Sequence, residues 1–170
     1  MEIKITQDIT AEKAYNLLVS ALEGGSNYWY MLEDIKKPAK DAQSHYKDSL
    51  WDKDRKGDKG PDYIHTLEVP FQAGGALIFS DVEGETTACG ECEACIEYDI
   101  PHFDSMEGDN CDNRKPVETY TLDYMAIQKG LEIMAEKYPS HWADFVGGND
   151  DADTGDVFLQ CALFGEVIYG

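Results

Sequence analysis

Between Lys59 and Arg114 the chain runs for 54 residues without a lysine or an arginine, and the same stretch holds 13 aspartates and glutamates. Soluble domains ordinarily intersperse charges of both signs, whereas a field of one sign repels itself and has to be offset from elsewhere. The stretch therefore points to a cationic partner, either a metal ion or a protein whose basic groove normally holds nucleic acid. Its densest part, at about 81–113, reads as an acidic, cysteine-containing insertion in the surrounding fold.

The whole chain agrees in sign. Over 170 residues, 34 acidic groups face 14 basic ones, a net charge of −20, which disfavours direct binding to nucleic acid or to an anionic membrane. Eight of the basic residues and five acidic ones fall between Lys36 and Lys59. That Lys-rich segment has little periodicity and reads as a loop or flap over about 36–60. Apolar residues make up 42% of the chain and aromatic ones 11%, enough for one sizeable core in a single domain spanning 1–170. No apolar run approaches the ~20 residues of a membrane span, and Met1 to Thr10 does not read as a signal peptide. A cytoplasmic protein with reduced thiols or a thiolate-bound metal is expected.

Local patterns predict an α+β fold, a small antiparallel sheet packed against two or three helices. Ile3 and Ile5 alternate with polar residues over Glu2 to Asp8, a first strand. Thr10 caps a helix running to about Glu23, whose Ala14, Leu17, Leu18, Ala21 and Leu22 form one stripe and whose stop is a left-handed turn at Gly24 and Gly25. Trp29 and Tyr30 follow as core aromatics. Strands are expected at Tyr63 to Val69, Ala76 to Ser80, about Ala94 to Ile100, and Val117 to Leu122. Asp123 caps a helix carrying Ile127, Leu131, Met134 and Tyr138 and ended by Pro139, and His141 to Val146 makes a short helical turn. Asp150, Asp151, Asp153 and Asp156 stand at the start of an apolar helix, Thr154 to Phe164, and Val167 to Tyr169 closes as a strand.

Three cysteines, Cys89, Cys92 and Cys95, recur every third residue, with Cys111 available across an acidic loop. Four thiolates close a tetrahedral zinc site when a tight pair turns two sulfurs toward one ion. Here the regular second pair is missing, His102 is an alternative fourth ligand, and free thiols on a hairpin account for the same residues. Cys161 belongs to the apolar helix. The aspartates from Asp150 do not make a calcium loop: counted from Asp151, the fifth position is Gly155 and the twelfth Ala162, where oxygen ligands are required. They suit helix capping instead. His45, His65, His102 and His141 carry no nucleophile signature, and the glycine pairs lack a phosphate-loop pattern.

Asp81, Glu83, Glu85, Glu91, Glu93, Glu97, Asp99, Asp104, Glu107, Asp109 and Asp112 are the remaining candidates. Duplex DNA presents one negative charge per ~1.7 Å of axis. Carboxylates spaced along strands and loops approach that density over a short footprint and offer arginines the bidentate acceptors they find in phosphate. Tyr98 and Phe103, set among them, are the aromatic anchors such an interface favours.

Two segments carry a resemblance. Leu22-Glu23-Gly24-Gly25-Ser26-Asn27-Tyr28-Trp29 and Leu159-Gln160-Cys161-Ala162-Leu163-Phe164-Gly165-Glu166-Val167-Ile168-Tyr169-Gly170 resemble the two ends of a family of small acidic proteins encoded by phages and other mobile elements. The resemblance implies a counter-defence protein and, among similar proteins, inhibitors of the Cas9 type of CRISPR nuclease; it brings no catalytic residue. A Cas9-type enzyme holds nucleic acid in a positively charged channel, which suits a non-catalytic inhibitor with a DNA-mimicking acidic face acting in the bacterial cytoplasm. Two alternatives stay open: a sponge for a nucleotide-derived immune signal, built from Tyr28, Trp29, Tyr30, Trp51 and the Lys-rich segment, and a zinc-binding structural or interaction protein.

Overall fold

The first helix follows directly from its sequence. In the computed structural model, which describes residues 8–24, 28–39, 42–45, 66–81, 86–87, 115–116 and 118–170, α1 spans Ala11–Glu23 and opens on Thr10, whose Oγ1 accepts from Lys13 N at 3.2 Å. Its inner face, Ala14, Tyr15, Leu17, Leu18 and Ala21, is buried. Of the expected left-handed stop at Gly24 and Gly25, Gly25 lies outside the described residues. Gly24 is right-handed, with φ −81°, and a Cβ there would stand 2.6 Å from that of Ala152.

The sheet contains β1 (Tyr30–Lys36), β2 (Ala76–Asp81) and β5 (Tyr120–Leu122), antiparallel in the order β1-β2-β5; β3 (Thr86–Thr87) and β4 (Lys115–Pro116) pair separately as a two-residue ladder. Tyr30 lies opposite Asp81 and Leu32 opposite Phe79, and the register shifts between Leu32 and Asp34. The bulged residue, Glu33, accepts from Ser80 Oγ at 2.5 Å. Across the other edge of β2, Leu77 faces Leu122 and Phe79 faces Tyr120. These pairs direct Leu77, Phe79 and Leu122 into the core.

Three further helices complete the fold: α2 (Tyr124–Lys137), α3 (Pro139–Gly147) and α4 (Ala152–Phe164). Asp123 and Asp151 cap α2 and α4, each accepting at 2.9 Å from a backbone N–H three residues on. Helix α4 packs against α1, α2 and β5. Its two neighbours come close because small residues meet: a Cβ on Gly155 would lie 2.5 Å from Ala21 N, and one on Gly130 of α2 would lie 2.7 Å from Ala162 Cα. Lys13 ties α1 to the end of α3, donating from Nζ to Val146 O at 2.8 Å while lying 5.1 Å from the Phe145 ring centroid. Among the described residues no helix is long and apolar enough to cross a membrane.

Several expected boundaries move. The described part of the expected strand Tyr63 to Val69 is helical turn, leading into a 3-10 segment at Val69–Phe71. Thr66 to Phe71 are buried at every position rather than alternately, and Pro70, lacking an N–H, sits at the start of the 3-10 turn. Pro139 ends α2 as expected but also opens α3, because its fixed φ and missing N–H suit the first turn of a helix. Val167 to Tyr169 form no strand; their backbone hydrogen bonds go to side chains. Strand β1 went unpredicted, as its burial does not alternate. Of the segment expected at Val117 to Leu122, Tyr120–Leu122 are strand and Glu118 and Thr119 are not, while Val117 lies outside the described residues. Residues 1–7 and the expected strand at Ala94 to Ile100 lie outside the described residues. Of the Lys-rich segment, Gln43 to His45 lie against the 3-10 turn: Ser44 bridges Gln72, and His45 N donates to Phe71 O at 2.8 Å.

Candidate functional site

Two stretches far apart in sequence, residues 28–29 and 156–169, meet in space. Trp29, buried at 1% exposure, stacks on Tyr169 with ring centroids 5.7 Å apart and planes 10° from parallel. Its indole Nε1 donates to Asp156 Oδ1 at 2.6 Å. The other oxygen of Asp156 accepts from Gln160 Nε2 at 2.8 Å and, at a long 3.5 Å, from Tyr28 OH. One carboxylate on α4 thus joins the segment after α1 to the end of the chain. Tyr30 and Phe79 extend the cluster edge-to-face at 5.3 Å, and Phe164 meets Trp29, Tyr120 and Tyr169.

Gln160 is fully buried yet uses its whole amide. Nε2 donates to Asp156 and to Tyr169 O, while Oε1 accepts from Ile168 N and Tyr169 N, these last three bonds at 2.8 Å. A primary amide has two donor hydrogens and two acceptor lone pairs, and all four are engaged. Gly165, at φ 82°, ends α4 and turns the chain back so that the tail reaches this amide. Tyr138 OH accepts from Val167 N at 2.9 Å, and Tyr169 OH donates to Asp81 at the end of β2. Side chains of α2, α4 and β2 therefore hold the tail in place of a strand partner.

Beside this clasp opens a cleft of about 400 Å³, walled by Gly24 and Tyr28, His141 of α3, Asp153 and Asp156 of α4, and Tyr169 of the tail. Among the described residues neither lysine nor arginine lines it. Tyr28 is 57% exposed, and its phenol is raised above its ordinary value by partial burial, then by the charge of Asp156, the hydrogen bond to it, and the charge of Asp153. Asp153 is exposed and has no hydrogen-bond partner among the described residues. The neighbouring Asp151 is committed to Thr154, accepting from both its N and its Oγ1 at 2.9 Å, and is held below the ordinary carboxylate value chiefly by that backbone N–H. His141 is half-buried, and its Nδ1 is shielded from solvent without a hydrogen-bond partner among the described residues.

Of the acidic candidates, Asp81 alone falls among the described residues, half-buried and accepting from Tyr169. Glu83, Glu85, Glu91, Glu93, Glu97, Tyr98, Asp99, Phe103, Asp104, Glu107, Asp109 and Asp112 lie outside them, as do Cys89, Cys92, Cys95 and Cys111. No group of three potential metal ligands occurs among the described residues. Cys161 is buried, with its thiol pushed up to about 11 by desolvation, so it is inert at neutral pH. Trp29 and Tyr30 lie in the core, as their sequence context suggested, and their faces are taken by Tyr169, Phe164 and Phe79. Sequence reasoning did not find the roles of Asp156 and Gln160. The available signal was Gln160 itself, an amide inside the apolar run Val157 to Phe164 and one helical turn from Asp156, since a buried amide has to find partners. Neither a family model, nor a curated protein, nor a solved structure matches the chain.

Proposed function

We propose that the chain is a non-catalytic counter-defence protein of a phage or mobile element, which binds a basic, nucleic-acid-binding host enzyme of the Cas9 type by presenting carboxylates in place of phosphates. The observation that carries the reading is the 54-residue stretch with 13 carboxylates and no lysine or arginine, in a chain of net charge −20. Charge of that density draws cationic surfaces at long range and repels nucleic acid itself. The acidic character extends to the described residues, where Glu33 and Asp34 of β1, Glu118, Asp144 and Asp153 are exposed. The resemblance of the two end segments to phage proteins supports the same reading, as does a channel in Cas9-type enzymes that binds a polyanion by shape and charge.

Guided cleavage of a target duplex, with increasing amounts of this protein at about 50 and about 200 mM salt, tests it. Contacts that imitate phosphate weaken steeply over that range. Inhibition that fades with salt is the expected result. Undiminished cleavage at both concentrations refutes the choice of a Cas9-type target.

A further inference from the structure

We infer that the cleft between Gly24, Tyr28, α3 and the first turns of α4 receives an arginine side chain of the partner, its guanidinium lying against the Tyr28 ring and paired with Asp153. The inference rests on the proposed binding to a basic protein and names a point at which that protein is held. Three properties of the cleft select the occupant. Its charge is negative, since Asp153 and Asp156 line it and, among the described residues, no lysine or arginine does. Asp156 is already occupied by Trp29, Gln160 and Tyr28, so Asp153 is the carboxylate left to accept from a newcomer. An aromatic face stands open beside it, with Tyr28 57% exposed.

The chemistry of the walls favours guanidinium over ammonium. Guanidinium is planar, weakly hydrated and stacks on aromatic rings while donating in a fork that fits both oxygens of one carboxylate. It carries five N–H donors, enough to serve both oxygens of Asp153. An ammonium is compact and strongly hydrated and gives up more on leaving water. The volume of about 400 Å³ admits such a side chain without rearrangement of the clasp.

The probes are blocked Gly-Arg-Gly and Gly-Lys-Gly tripeptides, titrated into the ¹⁵N-labelled full chain at constant ionic strength. Saturable shifts of the Tyr28, His141 and Asp153 amides by the arginine peptide are expected, with the lysine peptide at least about fivefold weaker. Asp153→Asn should weaken the arginine peptide about tenfold, and Tyr28→Leu should weaken it severalfold. Both positions are exposed, and an unchanged thermal midpoint confirms that the variants fold. Equal shifts from both peptides, or shifts that Asp153→Asn leaves intact, overturn the inference. Cleavage inhibition measured in parallel keeps the two proposals apart. Inhibition by a chain that ignores the arginine peptide sinks the cleft and spares the partner; saturable binding of the peptide by a chain that leaves the nuclease untouched does the reverse.

Discussion

Replacing Gln160 by leucine removes four hydrogen bonds at one fully buried position. At a net ~1 kcal/mol each, the loss comes to about 4 kcal/mol. Leucine has similar bulk and returns ~1 kcal/mol through its apolar surface, so the net destabilisation is about 3 kcal/mol. For a chain of this length that is a fall in Tm of roughly 6 to 12 °C. The mechanism is specific. Ile168 N, Tyr169 N and Tyr169 O lose their Gln160 partners and turn to water instead, which pulls Tyr169 off Trp29. Thermal unfolding followed by circular dichroism, with urea unfolding for the free energy, measures the effect. Tryptophan fluorescence of the folded variant should also shift to longer wavelength as Trp29 loses its cover. A loss below about 1 kcal/mol with unshifted fluorescence would refute the clasp, because it would mean that these bonds exchange for water at no cost.

Gly155→Ala should destabilise by about 1 to 3 kcal/mol in urea unfolding, since the new methyl meets the backbone of Ala21 rather than a side chain that can turn away; an unchanged midpoint would contradict the close α1–α4 approach. Asp151 has its acidity raised by Thr154 N–H, so its contribution is complete above the ordinary aspartate value and is lost as pH falls through its lower folded value. Asp151→Asn, which keeps a cap, should leave stability at neutral pH nearly unchanged and flatten that acid limb, and an identical pH profile would exclude the assignment. Cys161 titrates in the opposite sense: with its folded value at about 11 against an ordinary 9.0, its contribution is full below pH 9.0 and is lost as pH rises toward 11. Alkylation at neutral pH followed by mass spectrometry should leave it unmodified until denaturant is added.

The parts of the fold that could be read from sequence are those set by local rules. Thr10, Asp123 and Asp151 each precede a helix and each caps one, because a short oxygen-bearing side chain at that position reaches an N–H that nothing else satisfies. The apolar stripe of α1 and the breadth of apolar surface on α4 likewise announce which faces are buried. What escaped depends on non-local partners. Strand β1 buries Tyr30 and leaves Met31, Leu32, Glu33 and Asp34 exposed, a pattern fixed by its bulge and edge position and not by a period of two. The tail alternates like a strand yet pairs with Tyr138 and Gln160, whose proximity only the tertiary fold creates. Of the candidate site, the glycine and aromatic residues stand out in the sequence. Their joining through Asp156 does not, because only its place one turn before Gln160 sets that carboxylate apart, and its partner Trp29 is 127 residues away in sequence.

The way this fold satisfies its carboxylates bears on its surplus charge. Asp156 accepts from Trp29 and Gln160, Asp81 from Tyr169, Glu33 from Ser80, Asp151 from Thr154 and Asp123 from Ala126 N. All of these donors are neutral. Lys13 serves the carbonyl of Val146 and the ring of Phe145. Hydrogen bonds from neutral donors hold these carboxylates without cancelling their charge, and an ion pair among the described residues, Lys129 with Glu132 at 3.7 Å, is exposed, so much of the net charge of −20 stays available to an external cation. A measurable consequence follows for salt. Raising ionic strength from about 10 to about 150 mM shortens the screening length from ~30 to ~8 Å. In a chain stabilised by ion pairs, that change lowers Tm; here it should raise Tm, because what is screened is repulsion among carboxylates. A Tm that falls with added sodium chloride would show that attractive pairs dominate. The acidic face would then be neutralised from within, leaving little field for a basic partner to answer.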